Sequence, residues 1–197
     1  MARTQQQRRE ETVARLLDAA IDTIVEVGYA RASAAVIAKR AGVSDGALFR
    51  HFATMGDFMA ATALEVMRRQ LDLFTKQVAE IPADRPVLES ALTVLRDVTG
   101  NATNTVMYEL LVAARTDDKL RATLQDVLAE YSGNIYEIAK TLPGADLFPP
   151  EQFATIVAIL TNTFDGAALV RAVLPQPDIE ENRIRLLSAL LENAPRV

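Results

Sequence analysis

Apolar residues return along this chain with a period close to that of an α-helix. Val13, Leu16, Leu17, Ala20, Ile21 and Ile24 stand at i, i+3, i+4, i+7, i+8 and i+11 and make one stripe. The spacing predicts a helix from about Arg8 to Val27, stopped by Gly28. A short helix is expected from Ser33, as N-cap, to Arg40, another after Ser44, and a long one from Asp57 to Ala79. Breaks follow at Ile81 to Pro86, at Gly100-Asn101, at Arg115 to Asp118, at Leu142-Pro143-Gly144 with Phe148-Pro149-Pro150, and at Pro175 to Asp178. The segments between them are of helix length and carry no sustained two-residue alternation, so roughly nine helices and an all-α fold are expected.

Two short helices close together cannot be stable alone. Those between Ser33 and Phe52 have to pack on each other and on the helix before them. Ala38 is small enough to allow close approach, Gly42 suits a tight turn, and Val43, Leu48 and Phe52 are expected to point inward. This is the pattern of a helix-turn-helix, whose second helix can lie in a DNA major groove. Ser44 would cap that helix, with a positive dipole end suited to phosphate. Asp45, Gly46, Ala47, Phe49, Arg50 and His51 are then expected to face solvent. Gly46 and Ala47 would permit close approach to base edges, the Ala47 methyl against a thymine methyl, with Arg50 and His51 reaching phosphate or guanine.

Charge sharpens this picture. The net charge is −5, but residues 1–56 hold 8 Lys and Arg against 6 Asp and Glu, a net of +2, while the rest holds 13 against 20, a net of −7. A mildly basic head on an acidic body is compatible with DNA reading despite the acidic total. There is no cysteine and a single histidine, which excludes disulfides, Cys-zinc sites and thiol catalysis and leaves His51 without the partners a metal or catalytic site needs. No metal, cofactor or catalytic residue is expected, and no enzyme. No uncharged apolar run long enough for a membrane span and no signal peptide is visible, so a cytoplasmic protein without a membrane partner is expected.

The run Ala38-Lys-Arg-Ala-Gly-Val-Ser-Asp-Gly-Ala-Leu-Phe-Arg-His-Phe52, preceded by a helix ending in Gly28-Tyr29, resembles the DNA-binding domain of the tetracycline-repressor (TetR) family. The strong match covers about residues 10–60. The resemblance implies an N-terminal three-helix helix-turn-helix domain over residues 1–56 and a larger helical ligand-binding and dimerisation domain over 57–197. It implies a recognition helix from Ser44 to His51 and backbone contacts from Ser33, Phe49 and His51. The chain departs from the family pattern at Asp45 and Met55, where lysine is common, and at Phe49, where tyrosine is common. Lys39, Arg40 and Arg50, with Arg3, Arg8 and Arg9 of the tail, could supply the missing phosphate contacts.

The C-terminal segments are apolar around most of their circumference. Phe153, Ile156, Leu160 and Phe164 form one stripe, continued by Leu187, Leu190 and Leu191 in the last helix. Such helices are buried in a core or across an interface; the family implies a homodimer interface there, which would set two recognition helices at groove spacing. Polar residues on apolar helices, Asn104, Tyr108, Glu109, Thr161 and Asp165, are candidates to orient a small apolar or amphipathic effector. The implied mechanism is release of an operator when the effector favours a wider spacing of the heads, with the helix from Asp57 to Ala79 as lever. Repression and activation remain open at this level.

Overall fold

The computed structural model describes residues 4–82, 84–142 and 145–193; Arg3 of the expected tail and the Pro143-Gly144 break lie outside them. Among the described residues there are nine α-helices and no strand: α1 Gln5–Val27, α2 Ala34–Arg40, α3 Asp45–His51, α4 Met55–Ala79, α5 Val87–Thr99, α6 Thr105–Ala114, α7 Asp118–Ala139, α8 Pro150–Arg171 and α9 Pro177–Glu192. The chain forms two compact units, one of residues up to Arg68 with Ala102–Ala129, the other of Arg69–Asn101 with residues from Glu130 onward.

In the first unit α1 begins three residues earlier than its apolar stripe suggested. Thr4 and Gln7 form a reciprocal capping box: Gln7 donates its backbone N–H to Thr4 Oγ1, and Thr4 donates its own to Gln7 Oε1. Leu16, Ala20, Ile21 and Ile24 are buried, as are Ile37 and Ala38 of α2 and Leu48 of α3. The turn between α2 and α3 is a Schellman motif. Gly42, at φ +68°, donates to Lys39 O at 3.2 Å, and Val43 donates to Ala38 O at 3.0 Å. Only this left-handed residue lets α3 fold back against α2. A second capping box, Thr54 with Asp57, starts α4, and Phe52 packs its ring 4.9 Å from that of Phe58, which is wholly buried.

In the second unit α5, α8 and α9 share a core of Leu92, Phe164 and Ile184, with Leu88, Leu95, Leu160 and Leu187 packed against it. An ion cluster ties the same helices. Arg96 bonds Glu181 at 2.7 Å, and the buried Glu180 lies between Arg171 at 2.9 Å and Arg183 at 3.1 Å. A carboxylate so enclosed needs both guanidinium partners to offset its lost hydration.

Candidate functional site

The helix-turn-helix is present, and α3 presents Asp45, Gly46, Phe49 and Arg50 outward. Phe49 is 49% exposed, unusual for so large an apolar ring. Gly46 faces open space: a Cβ built on it would meet nothing within 4 Å. Ser44 makes no side-chain capping bond to α3, and its side chain faces solvent. Ser33 does cap α2, accepting from the Val36 N–H at 3.4 Å, and is also exposed, as is Lys39.

Two expectations for this face are corrected, the side-chain cap from Ser44 and the outward placement of Ala47. Ala47 is not in the outward arc; it is 6% exposed, beside the fully buried Leu48. At about 100° per residue, Ala47, His51 and Leu48 fall within one arc of about 100°, and positions 45, 46, 49 and 50 lie outside it. Ala47 is therefore small because it is pressed into the head, and cannot offer its methyl to a thymine. Arg40 remains exposed and is paired with α1, with Nη2 on Glu26 at 2.6 Å and Nη1 towards Thr23 Oγ1 at 3.4 Å, so it also braces α2.

His51 lies within the inward arc, between Ala47 and Leu48 around the helix. It is half-buried, and its Nδ1 is shielded from solvent with no hydrogen-bond partner among the described residues. Burial, then the charges of Arg9 and Arg50, hold its pKa below the ordinary histidine range. The effect of Arg9 shows that the start of α1 adds a charge to the end of α3. Arg9, Arg50 and His51 thus form one basic corner, of which sequence reasoning named Arg9 only as a possible tail contact.

The proposed effector residues divide between the two units. Asn104 is buried and donates Nδ2–H to the Tyr108 hydroxyl at 2.8 Å. Glu109, the next residue on α6, is not joined to that pair: its Oε2 accepts the backbone N–H of Tyr29 at 3.2 Å. In the second unit Thr161 returns its hydroxyl to Val157 O at 2.9 Å. Asp165 is half-buried close to Tyr131, whose hydroxyl is pushed up to about 12 by burial first and by the Asp165 charge second. Tyr131 was legible as a polar residue on an apolar helix; its pairing with Asp165 had no signal in the sequence.

The interface candidates also separate. Phe164 is 1% exposed inside its own chain and cannot meet a second copy. Leu160 and Leu187 pack on the same core, and the Phe153 ring lies 5.8 Å from that of Tyr136. Ile156 and Leu191 are half-buried, and Leu190 is exposed. The open apolar surface of these two helices includes instead Ile159, Leu169 and Val170 on α8, Val173 and Leu174 after it, and Ile179, Leu186 and Leu190 on α9. A helix apolar on all sides gives no periodic signal of which side its own chain covers.

Comparison with known proteins agrees with this architecture. Residues 16–62 match the model of bacterial regulatory proteins of the tetR family. An HTH-type transcriptional regulator of Mycobacterium tuberculosis is 73% identical over 191 residues, 97% of this chain and 98% of that one. Among solved structures, a transcriptional regulator from Rhodococcus superposes with a TM-score of 0.67 at 25% identity, over 94% of this chain and 98% of the other. The multidrug binding protein EbrR, solved with imidazole, gives 0.65 at 27% identity, over 90% and 93%. The helix-turn-helix head, the all-helical body and a relative alike over nearly its whole length lead to one assignment: the chain belongs to the TetR family of bacterial transcriptional regulators, and is not an enzyme.

Proposed function

We propose that the protein is a cytoplasmic homodimeric repressor that reads a two-fold operator with α3 and is released by a small apolar or amphipathic effector. The observation that carries DNA reading is the outward face of α3, where an unoccupied Gly46, an exposed Phe49 and the Arg9–Arg50–His51 corner stand together. Gly46 lets a backbone come close, and Arg9 and Arg50 supply the charge that phosphates attract. The functional head is residues 1–56 and the effector and dimer region 57–197.

The dimer is supported by α8. It is long and apolar enough to span a bilayer, yet only 17% of its apolar stretch is buried within the chain. In a DNA regulator such a face is best covered by its own symmetry mate, because a two-fold protein matches a two-fold operator. The effector is supported by the buried Asn104–Tyr108 pair and by Asp165 beside Tyr131, polar groups on otherwise apolar helices. That EbrR binds drugs makes a small organic effector a reasonable class for this chain.

The test is selection of bound duplexes from a random DNA pool, then footprinting and light scattering of the free and bound protein. A palindromic site, two protected half-sites about one helical turn apart and a dimeric mass are expected. A site without symmetry, or a monomer in both states, would remove the dimeric reading.

A further inference from the structure

We propose that Glu109 is the positioning residue through which α6 holds the DNA-reading head. The chain leaves α1 at Gly28 with φ +81° and ψ 158°, a region open essentially to glycine alone. That turn carries the Tyr29 N–H to Glu109 Oε2, 3.2 Å away and 80 residues distant in the chain. Tyr29 opens the 3-10 turn Tyr29–Arg31, so its N–H is one that the turn itself leaves unbonded. A carboxylate is the strongest acceptor a side chain can offer it. Space does not demand glycine at 28, since a Cβ there would sit in ordinary contact, 3.6 Å from Glu109 Oε1; the backbone angle does.

The same turn is gripped at one further point and lies beside the start of α7. Arg31 Nε donates to Val27 O at 2.6 Å, closing the turn onto the end of α1. The Tyr29 phenol is partly buried near Asp117, which caps α7 by accepting the backbone N–H groups of Lys119 at 3.0 Å and Leu120 at 2.9 Å. The link between α1 and α2 is therefore fixed at its backbone by α6. Tyr108 immediately precedes Glu109 on α6, about 100° away around the helix, and carries the hydroxyl bonded to Asn104. One face of α6 holds the proposed effector contact and the adjoining face holds the head. An effector that turns α6 about its axis through Tyr108 would carry the Glu109 carboxylate with it and free Tyr29. This rests on the functional reading of the head and of Asn104–Tyr108 given above.

Because the chain has no cysteine, paired spin labels can be placed cleanly at Ala35→Cys on α2 and Lys119→Cys on α7, both solvent-facing, and diluted with unlabelled chain. The distance distribution between them reads the head's position without DNA or effector. Wild type and E109Q, which keeps an oxygen acceptor, are expected to give the same narrow distribution. E109A is expected to broaden it while thermal unfolding stays cooperative, and to weaken binding to the selected duplex about tenfold, within the ordinary range of couplings between sites. Should E109A fail to fold, E109M, of matched length without an acceptor, takes its place. An unbroadened distribution in these variants overturns the proposal. Failure of the wild type to bind any duplex, with the distribution still responding to E109A, overturns the DNA-reading function instead and leaves the clasp standing.

Discussion

Gly46→Ala separates the two demands placed on α3, because folding and DNA reading should respond with opposite signs. In the free protein the added methyl meets nothing within 4 Å, so no packing is lost. Alanine in place of glycine within a helix is worth about 0.5–1 kcal/mol. Position 46 lies in the first turn of a seven-residue helix, which favours the lower end. For a chain of this size each kcal/mol moves the unfolding midpoint by about 2–4 °C, so a rise of about 1–3 °C is expected. On DNA the methyl would enter the space that glycine keeps open, at a cost of about 1–3 kcal/mol by analogy with overpacking of a fitted contact. That is a loss of roughly five- to 150-fold in operator affinity, since 1.4 kcal/mol is a factor of ten. Calorimetry and fluorescence anisotropy on the same preparation read both effects. Gly42→Ala is the control: its Cβ also meets nothing, but φ is +68°, so it should destabilise by about 1–2 kcal/mol. A Gly46→Ala protein that binds the operator like wild type would take residue 46 out of the interface and undo the assignment of the outward face.

Arg50→Ala should weaken operator binding markedly with little change in thermal stability, and the fall of affinity with salt should become shallower if the guanidinium meets phosphate; equal affinity removes Arg50 from the face. His51 has a lowered pKa in the free protein, and an approaching phosphate raises it, so binding takes up a proton. Affinity should therefore increase as pH falls from about 8 to about 6, by at most about tenfold per pH unit, the limit for one proton. The head's own stability runs the other way: with the folded pKa below the unfolded one, this contribution is present above about 6.5 and lost as pH falls through the folded value. As His51 is the chain's one histidine, His51→Gln should flatten the affinity profile; an unchanged slope assigns the proton elsewhere. Phe164→Ala should cost about 3–5 kcal/mol of stability, whereas Val170→Glu with Leu190→Glu should leave each chain folded and yield monomers by light scattering. A dimer that survives the double change would place the interface away from this face.

The helices were legible because each repeats one local rule many times, and errors at their ends came from single residues. The Thr4–Gln7 box, a polar signal ahead of the apolar stripe, moved the start of α1 to Gln5. Ala47 went astray for a related reason. Two anchors, Leu48 and Phe52, define the direction of a helix face but not its width, and an alanine fits either inside or outside. Only contact with the rest of the head decides, and there it is buried.

Pairings across the chain had no such local rule to announce them. Arg40 on Glu26, Tyr131 beside Asp165 and Glu109 on the Tyr29 N–H join residues that tertiary packing brings together, and each partner alone looks like an ordinary surface or helix residue. Helix α8 shows the same limit most sharply. Phe164 and Val170 are both apolar and six residues apart, yet one is sealed against Leu92 and Ile184 while the other is 55% exposed. Hydrophobicity states that a side chain should leave water, not whose surface it should join. A helix apolar on every side therefore implies two separate burials, one completed when the chain folds and one awaiting a partner. The opposite outcomes expected for Phe164→Ala, a destabilised chain, and for Val170→Glu with Leu190→Glu, an intact chain without its mate, measure that division directly.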